Sequence, residues 1–106
     1  MGARAAFLRM AACSPAKAGT EALTRLLAVQ LGSRGITVNA VSHGLTDTAM
    51  NCVKPGTPAA EQVIATMTLG RIGQPADVAD VVGFVASDEA RWITGQCTEV
   101  SGGQSL

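Results

Sequence analysis

Tyrosine is missing from the sequence altogether, and two phenylalanines and one tryptophan are the only aromatic residues among 106. With 47% hydrophobic and 15% charged residues the chain is still too apolar to stay disordered, so its core has to be packed from alanine, valine and glycine in an α/β pattern. Net charge is missing too. Eight basic residues balance eight acidic ones, which leaves no electrostatic footprint for nucleic acid or an anionic membrane surface and suits a small neutral partner better. Cysteine is scarce: Cys13, Cys52 and Cys97 are odd in number and lack Cys-x-x-Cys spacing. That argues against a disulfide framework and a zinc knuckle, and for a reducing, cytoplasmic setting. Long apolar runs are also lacking. Arg9 cuts the stretch that follows Arg4 below the ~7–15 residues of a signal core, and nothing later approaches the ~20 that span a bilayer. Residues 1–12 are therefore expected to be a lead-in whose Phe7 and Leu8 pack on the body, rather than an export signal or a lipid attachment site at Cys13.

What is present is organised around one helix. Ser14 is a good N-cap, Pro15 fits the first helical position where its missing N–H costs nothing, and the apolar pattern runs on to Leu31. Ala22, Leu26 and Val29 form one stripe and Leu23, Leu27 and Leu31 a second beside it, so the helix asks for cover on two sides. Glu21, Thr24 and Arg25 are expected to form a narrow polar edge, and Gly32 with Ser-Arg-Gly supplies the residue type that ends a helix in a left-handed turn.

Beyond that helix the alternating β-branched run from Ile36 to Val41 predicts a strand, which Ser-His-Gly breaks. The segment from Leu45 to Gly56 has no sustained periodicity and reads as the functional loop. Thr57 and Pro58 predict the start of a short amphipathic helix closed near Gly70, and Gln74 with Pro75 starts a third, with Asp77 at the positive end of its dipole. Val78, Val81, Val82 and Val85 fall at i, i+3, i+4 and i+7, a core stripe for packing on a sheet. Gly95 leads into a last strand, Gln-Cys-Thr-Glu-Val, ended by Gly102 and Gly103, with Trp92 packing or lining an interface nearby. A strand, a helical crossover and a second strand make a right-handed unit with parallel strands. About three helices and two parallel strands over residues 1–106 describe one partial α/β domain, the carboxyl portion of a doubly wound parallel sheet.

In this order the pieces resemble the C-terminal part of the short-chain dehydrogenase/reductase family. They are the lysine of Ser-Pro-Ala-Lys-Ala-Gly, the segment Gly-Ile-Thr-Val-Asn-Ala-Val-Ser-His-Gly-Leu-Thr-Asp-Thr-Ala-Met, the linker Leu-Gly-Arg-Ile-Gly-Gln-Pro-Ala-Asp-Val-Ala, and Ile-Thr-Gly-Gln. The resemblance runs from about Ser14 to Gly103. It implies a Rossmann-type fold, NAD or NADP as cofactor, a small alcohol or carbonyl substrate, and a homo-oligomer without nucleic acid or membrane.

The same resemblance implies site residues and exposes gaps. Lys17 takes the place of the family's active lysine, and Cys13, four positions earlier, stands where the catalytic tyrosine belongs. Contacts to the cofactor fall to Lys17, His43, Gly44, Thr46 and Thr48; His43 stands where the family has proline, and Gly44 and Thr48 match residue by residue. The family's glycine-rich phosphate turn and catalytic serine have no counterpart in these 106 residues. The expectation is an oxidoreductase portion that does not catalyse alone, from a truncated gene or a start chosen inside a longer frame. The alternative is a non-catalytic module that pairs with another subunit through the wide apolar helix. No metal site is expected.

Overall fold

A computed structural model describes residues 13–49, 53–104 and 106, with side chains from residue 16 onward. The first helix begins at Cys13, so Ser14, the expected N-cap, and Pro15, expected at the first helical position, lie inside it. The side chains of Cys13 and Ser14, Cys52, and the lead-in with Phe7 and Leu8 lie outside the described residues and side chains. Among the described residues three α-helices and two strands follow in the order α1 (Cys13–Leu31), β1 (Ala40–His43), α2 (Pro58–Ile64), α3 (Pro75–Val85) and β2 (Cys97–Val100). The strands pair in parallel, with Ala40 opposite Cys97 and His43 opposite Val100. This is the α/β arrangement expected of part of a Rossmann-type fold. No described helix is long and apolar enough to cross a membrane.

Helix α1 turns a different side inward than its polarity suggests. Thr24 and Ala28 are buried, while Leu23, Leu26 and Val29 are 53%, 54% and 82% exposed. Thr24 can go inward because its hydroxyl donates to the Thr20 carbonyl one turn back, at 2.7 Å, and so carries no unmet hydrogen bond into the contact with the sheet. Arg25 and Glu21 stay on the rim as an i, i+4 pair at 3.7 Å. The helix runs on through a 3₁₀ turn, Gly32–Arg34, and the left-handed residue is Gly35 (φ 71°), three positions later than expected.

Strand β1 is displaced by four residues at its start from the expected Ile36–Val41, and it runs on through Ser42 and His43. The ladder begins where β2 offers a partner. Ahead of it the amide of Asn39 does the joining, Nδ2 donating to Ile93 O at 3.0 Å and Oδ1 accepting from Gln96 N at 3.1 Å. Gly95 N donates to Val38 O at 2.7 Å, continuing the pairing without regular strand geometry.

The crossover holds its expected caps. Thr57 accepts from Ala60 N at 3.2 Å at the start of α2. That helix ends at Ile64 instead of near Gly70, because the following residues turn inward. Met67 is buried and forms an antiparallel bridge with Gln104, and Ile72 is buried as well. Asp77 caps α3 by accepting from Gln74 N at 2.7 Å and holds Arg71 through two bonds of 2.6 and 2.9 Å. Helix α3 packs against both strands. Its valine stripe is only half-buried, with Val82 47% exposed, because two strands are too narrow a surface to cover it. Trp92 is 96% exposed rather than packed.

Candidate functional site at the carboxyl end of the strands

The height of Lys17 over the sheet follows from one packing contact. Ala28 of α1 meets Gly95, whose N–H is bonded to Val38 O. From Ala28 back to Lys17 is eleven helical residues, about 16 Å at 1.5 Å each. From Val38 on to His43 is five extended residues, again about 16 Å. Helix and strand run antiparallel across the short turn at Gly35, so Lys17 arrives at the level of His43 and the loop after it. Lys17 shares the helix face of Glu21, Thr24 and Ala28, the face turned to the sheet, and is exposed where that face passes the strand ends. The carboxyl end of parallel strands is where open α/β sheets bind ligands.

The loop itself is tightly built. Gly44 N donates to Val100 O at 3.2 Å, and its Cα lies so close to the chain end that an added Cβ would stand 2.6 Å from Gln104 Oε1 and 2.9 Å from Ser101 Cβ. Only glycine fits there. Leu45 N donates to Gln104 Oε1 at 2.9 Å. Thr46 is buried, its hydroxyl donating to Gly44 O at 3.1 Å, and its backbone forms a parallel bridge with Gly73. Thr48 is exposed, and its carbonyl receives the Lys54 ammonium, which also lies 3.3 Å from Asp47 Oδ1. His43 closes β1 exposed to solvent, with Nδ1 2.8 Å from the carbonyl of its neighbour Gly44.

Of the residues singled out in the sequence, His43, Gly44, Thr46 and Thr48 lie at the carboxyl end of β1 and in the loop after it, and Lys17 stands at the same level along the sheet on α1. Cys13 is the first residue of α1, one turn before Lys17. A cleft of about 190 Å³ opens between this loop and α3, lined by Leu45, Thr46, Leu69, Arg71, Val78 and Val100. Its charged groups are committed to each other: Arg71 holds the Asp77 carboxyl down to about 2, helped by the Gln74 N–H, and Asp77 in turn pushes the guanidinium up. That makes the cleft a braced joint; Thr46 lines it, whereas Lys17, His43 and Thr48 do not. Among the described residues no group of three metal-binding side chains occurs.

A family profile described as enoyl-(acyl carrier protein) reductase matches residues 1–105. The chain belongs to the short-chain dehydrogenase/reductase family. The 3-oxoacyl-(acyl-carrier-protein) reductase FabG of Pseudomonas aeruginosa is 49% identical over 91 residues, covering 86% of this chain and 36% of the relative. The promiscuous reductase LugOII, which catalyses keto-reduction at C1 during lugdunomycin biosynthesis, superposes with a TM-score of 0.89 at 41% identity, over 98% of this chain and 41% of that one. A blue fluorescent protein from a metagenomic library, solved in complex with NADPH, superposes with a TM-score of 0.79 at 34% identity, over 88% of this chain and 37% of that one. The chain thus spans about a third of the length of the curated relatives it matches.

Within this short-chain dehydrogenase/reductase portion, sequence reasoning missed the braces rather than the exposed groups. Gly73 lay inside a recognised linker, but its hydrogen bonds to the loop have no local signal. Gln104 and Lys54 carry none either, since each acts on a partner brought near only by the fold.

Proposed function

We propose that this chain forms the nicotinamide-facing part of an NAD(P)-dependent oxidoreductase site acting on a carbinol or carbonyl carbon, and that the 106 residues do not catalyse by themselves. The observation that carries this is the tightly built Gly44–Thr48 loop at the carboxyl end of β1, with Lys17 on α1 at the level of that end. The residues present fit one end of a dinucleotide: an exposed ammonium, an exposed threonine hydroxyl, and a loop whose glycine approaches its neighbours without a side chain. They do not fit the other end, because the 106 residues contain no glycine-rich turn of the Gly-x-x-x-Gly-x-Gly kind to cradle pyrophosphate at a helix N-terminus.

A nicotinamide supplies the hydride donor or acceptor of such a reaction. In this reading Thr48 and the backbone of Gly44 meet its nicotinamide end, Thr46 fixes the loop from its buried position, and Lys17 contacts the cofactor and supplies positive charge. His43, in the place of the family's proline, lies beside the same edge. That charge favours the deprotonated form of an acid one helical turn away, which is how a phenol with an ordinary pKa near ~10 is poised for proton transfer. Here the residue one turn away is Cys13. A cysteine side chain is several ångströms shorter than a phenol and does not reach where the phenolic oxygen would stand. The proton step is the one this chain cannot perform.

Calorimetric titration tests this division. The 106 residues should show no micromolar affinity for NADH or NADPH, and micromolar binding of either would contradict it. One further observation favours a second reading: the exposed Leu23, Leu26 and Val29 suit an oligomerisation module that pairs helix to helix with another subunit.

A further inference from the structure

The loop that carries Thr48 is held at its far end by Lys54, through the Thr48 carbonyl and the Asp47 carboxylate, and at its near end from two sides. On one side every bond is main chain to main chain, Gly73 N donating to Leu45 O at 3.1 Å and Asp47 N to Gly73 O at 2.8 Å. On the other side the Leu45 N–H is held by a side chain, that of Gln104. Its Oε1 accepts from Leu45 N at 2.9 Å, and the same oxygen occupies the space a Cβ on Gly44 would need.

Gln104 can hold the loop because its own backbone is fixed. Leu69 N and Thr68 N donate to the carbonyls of Gly102 and Gly103 at 2.9 and 3.3 Å. Gln104 N donates to Ser101 O at 3.2 Å, and Gln104 bridges the buried Met67. Its side-chain oxygen is therefore aimed from an anchored base. Removing that oxygen leaves the N–H of half-buried Leu45 without its acceptor, a state folded chains avoid by rotating the peptide toward another partner. A rotated Gly44–Leu45 peptide moves Thr46, whose hydroxyl is bonded to Gly44 O, and with it the residues leading to Thr48.

We infer that Gln104 is a positioning residue for the nicotinamide contact: its amide oxygen fixes the Gly44–Leu45 peptide and thereby sets where Thr48 stands. This rests on the reading of Gly44 and Thr48 as nicotinamide contacts. What Gln104 contributes is an acceptor at a set length, so glutamate serves in its place and leucine, of similar bulk, does not.

The experiment uses the ¹⁵N-labelled 106-residue chain, Gln104→Leu and Gln104→Glu, with reduced nicotinamide mononucleotide as the probe. Hydrogen exchange at Leu45 is read without ligand, and affinity from the shifts of Gly44 and Thr48. In Gln104→Leu, exchange should rise about tenfold and affinity fall about three- to tenfold, the size of one lost hydrogen bond. Gln104→Glu should stay within about twofold of the parent in both. Equal behaviour of Gln104→Leu and the parent overturns the proposal. So does equal loss in the leucine and glutamate variants, which would make packing the cause. If the probe moves no resonance of the parent, the nicotinamide reading fails and this one with it; loss of exchange protection in Gln104→Leu then identifies a clasp without a role in binding. Should Gln104→Leu not fold, scalar coupling across the hydrogen bond from Leu45 N to the Gln104 amide in the parent decides: its absence overturns the proposal.

Discussion

Ala28 on α1 and Gly95 ahead of β2 touch so closely that a Cβ on the glycine would lie 3.4 Å from that of the alanine. This contact fixes how far along the sheet the helix sits, and so where Lys17 arrives. Gly95 has φ 70°, a conformation in which other residues are strained, so the close approach is built into the turn. Ala28→Leu should overpack this contact and destabilise the chain by about 1–3 kcal/mol. Urea unfolding monitored by circular dichroism checks it, and an unchanged midpoint would mean the contact is loose.

The outward arc of α1 leads to a second expectation. Leu23, Leu26 and Val29 make an apolar strip on the side of the helix turned away from the sheet. The chain should self-associate at micromolar concentration in sedimentation velocity. Leu26→Glu with Val29→Lys should lower the association while leaving the unfolding midpoint nearly unchanged, because neither side chain is buried within the fold. Undiminished association in the double variant would place the contact elsewhere.

Asp77 makes a prediction about acid. Its carboxyl is held at about 2, against an ordinary value of 3.8, first by the bonds from Arg71 and then by the Gln74 N–H. The folded-state value lies below the unfolded one, so the contribution is fully present above pH ~4 and is lost as pH falls from ~4 through about 2. The carboxyl is partly exposed at the surface, and solvent screening keeps the effect small. Asp77→Asn should therefore flatten part of the fall in denaturation midpoint between pH ~4 and ~2 and leave the slope above pH ~5 unaltered. A variant as acid-sensitive as the parent would assign that fall to other carboxylates.

The elements were legible in the sequence wherever the signal was local. Thr57 with Pro58 and Gln74 with Asp77 marked helix starts that the structure keeps, and the glycines after Val100 marked the end of β2. Register was harder to read. Ile36 to Val41 has the composition of a strand, but the ladder starts at Ala40 because the partner starts at Cys97, and pairing is a property of both strands. Facing failed for a related reason: Thr24 looks polar in sequence and is buried in the fold, since a hydroxyl bonded to its own helix is no longer polar toward its neighbours. At the site, Lys17, Gly44 and Thr48 were visible as motif residues. Gln104 was not, because nothing at that position hints at a loop sixty residues earlier.

Whether Lys17 belongs to a reductase site that Cys13 leaves incomplete is read most directly from the rate of NADPH oxidation in a pair of hybrid chains. Each joins the N-terminal half of a full-length relative, with its glycine-rich turn and serine, to this chain from residue 13 onward. One hybrid keeps Cys13 and the other carries Cys13→Tyr, which places a phenol one turn from Lys17 on the same helix face. The tyrosine hybrid should reduce a ketone substrate measurably, and the cysteine hybrid should be slower by about 10²–10⁴, the usual loss when a general acid is removed. Equal rates from the two hybrids would contradict the assignment of Cys13 to the proton-transfer position and, with it, the role given to Lys17.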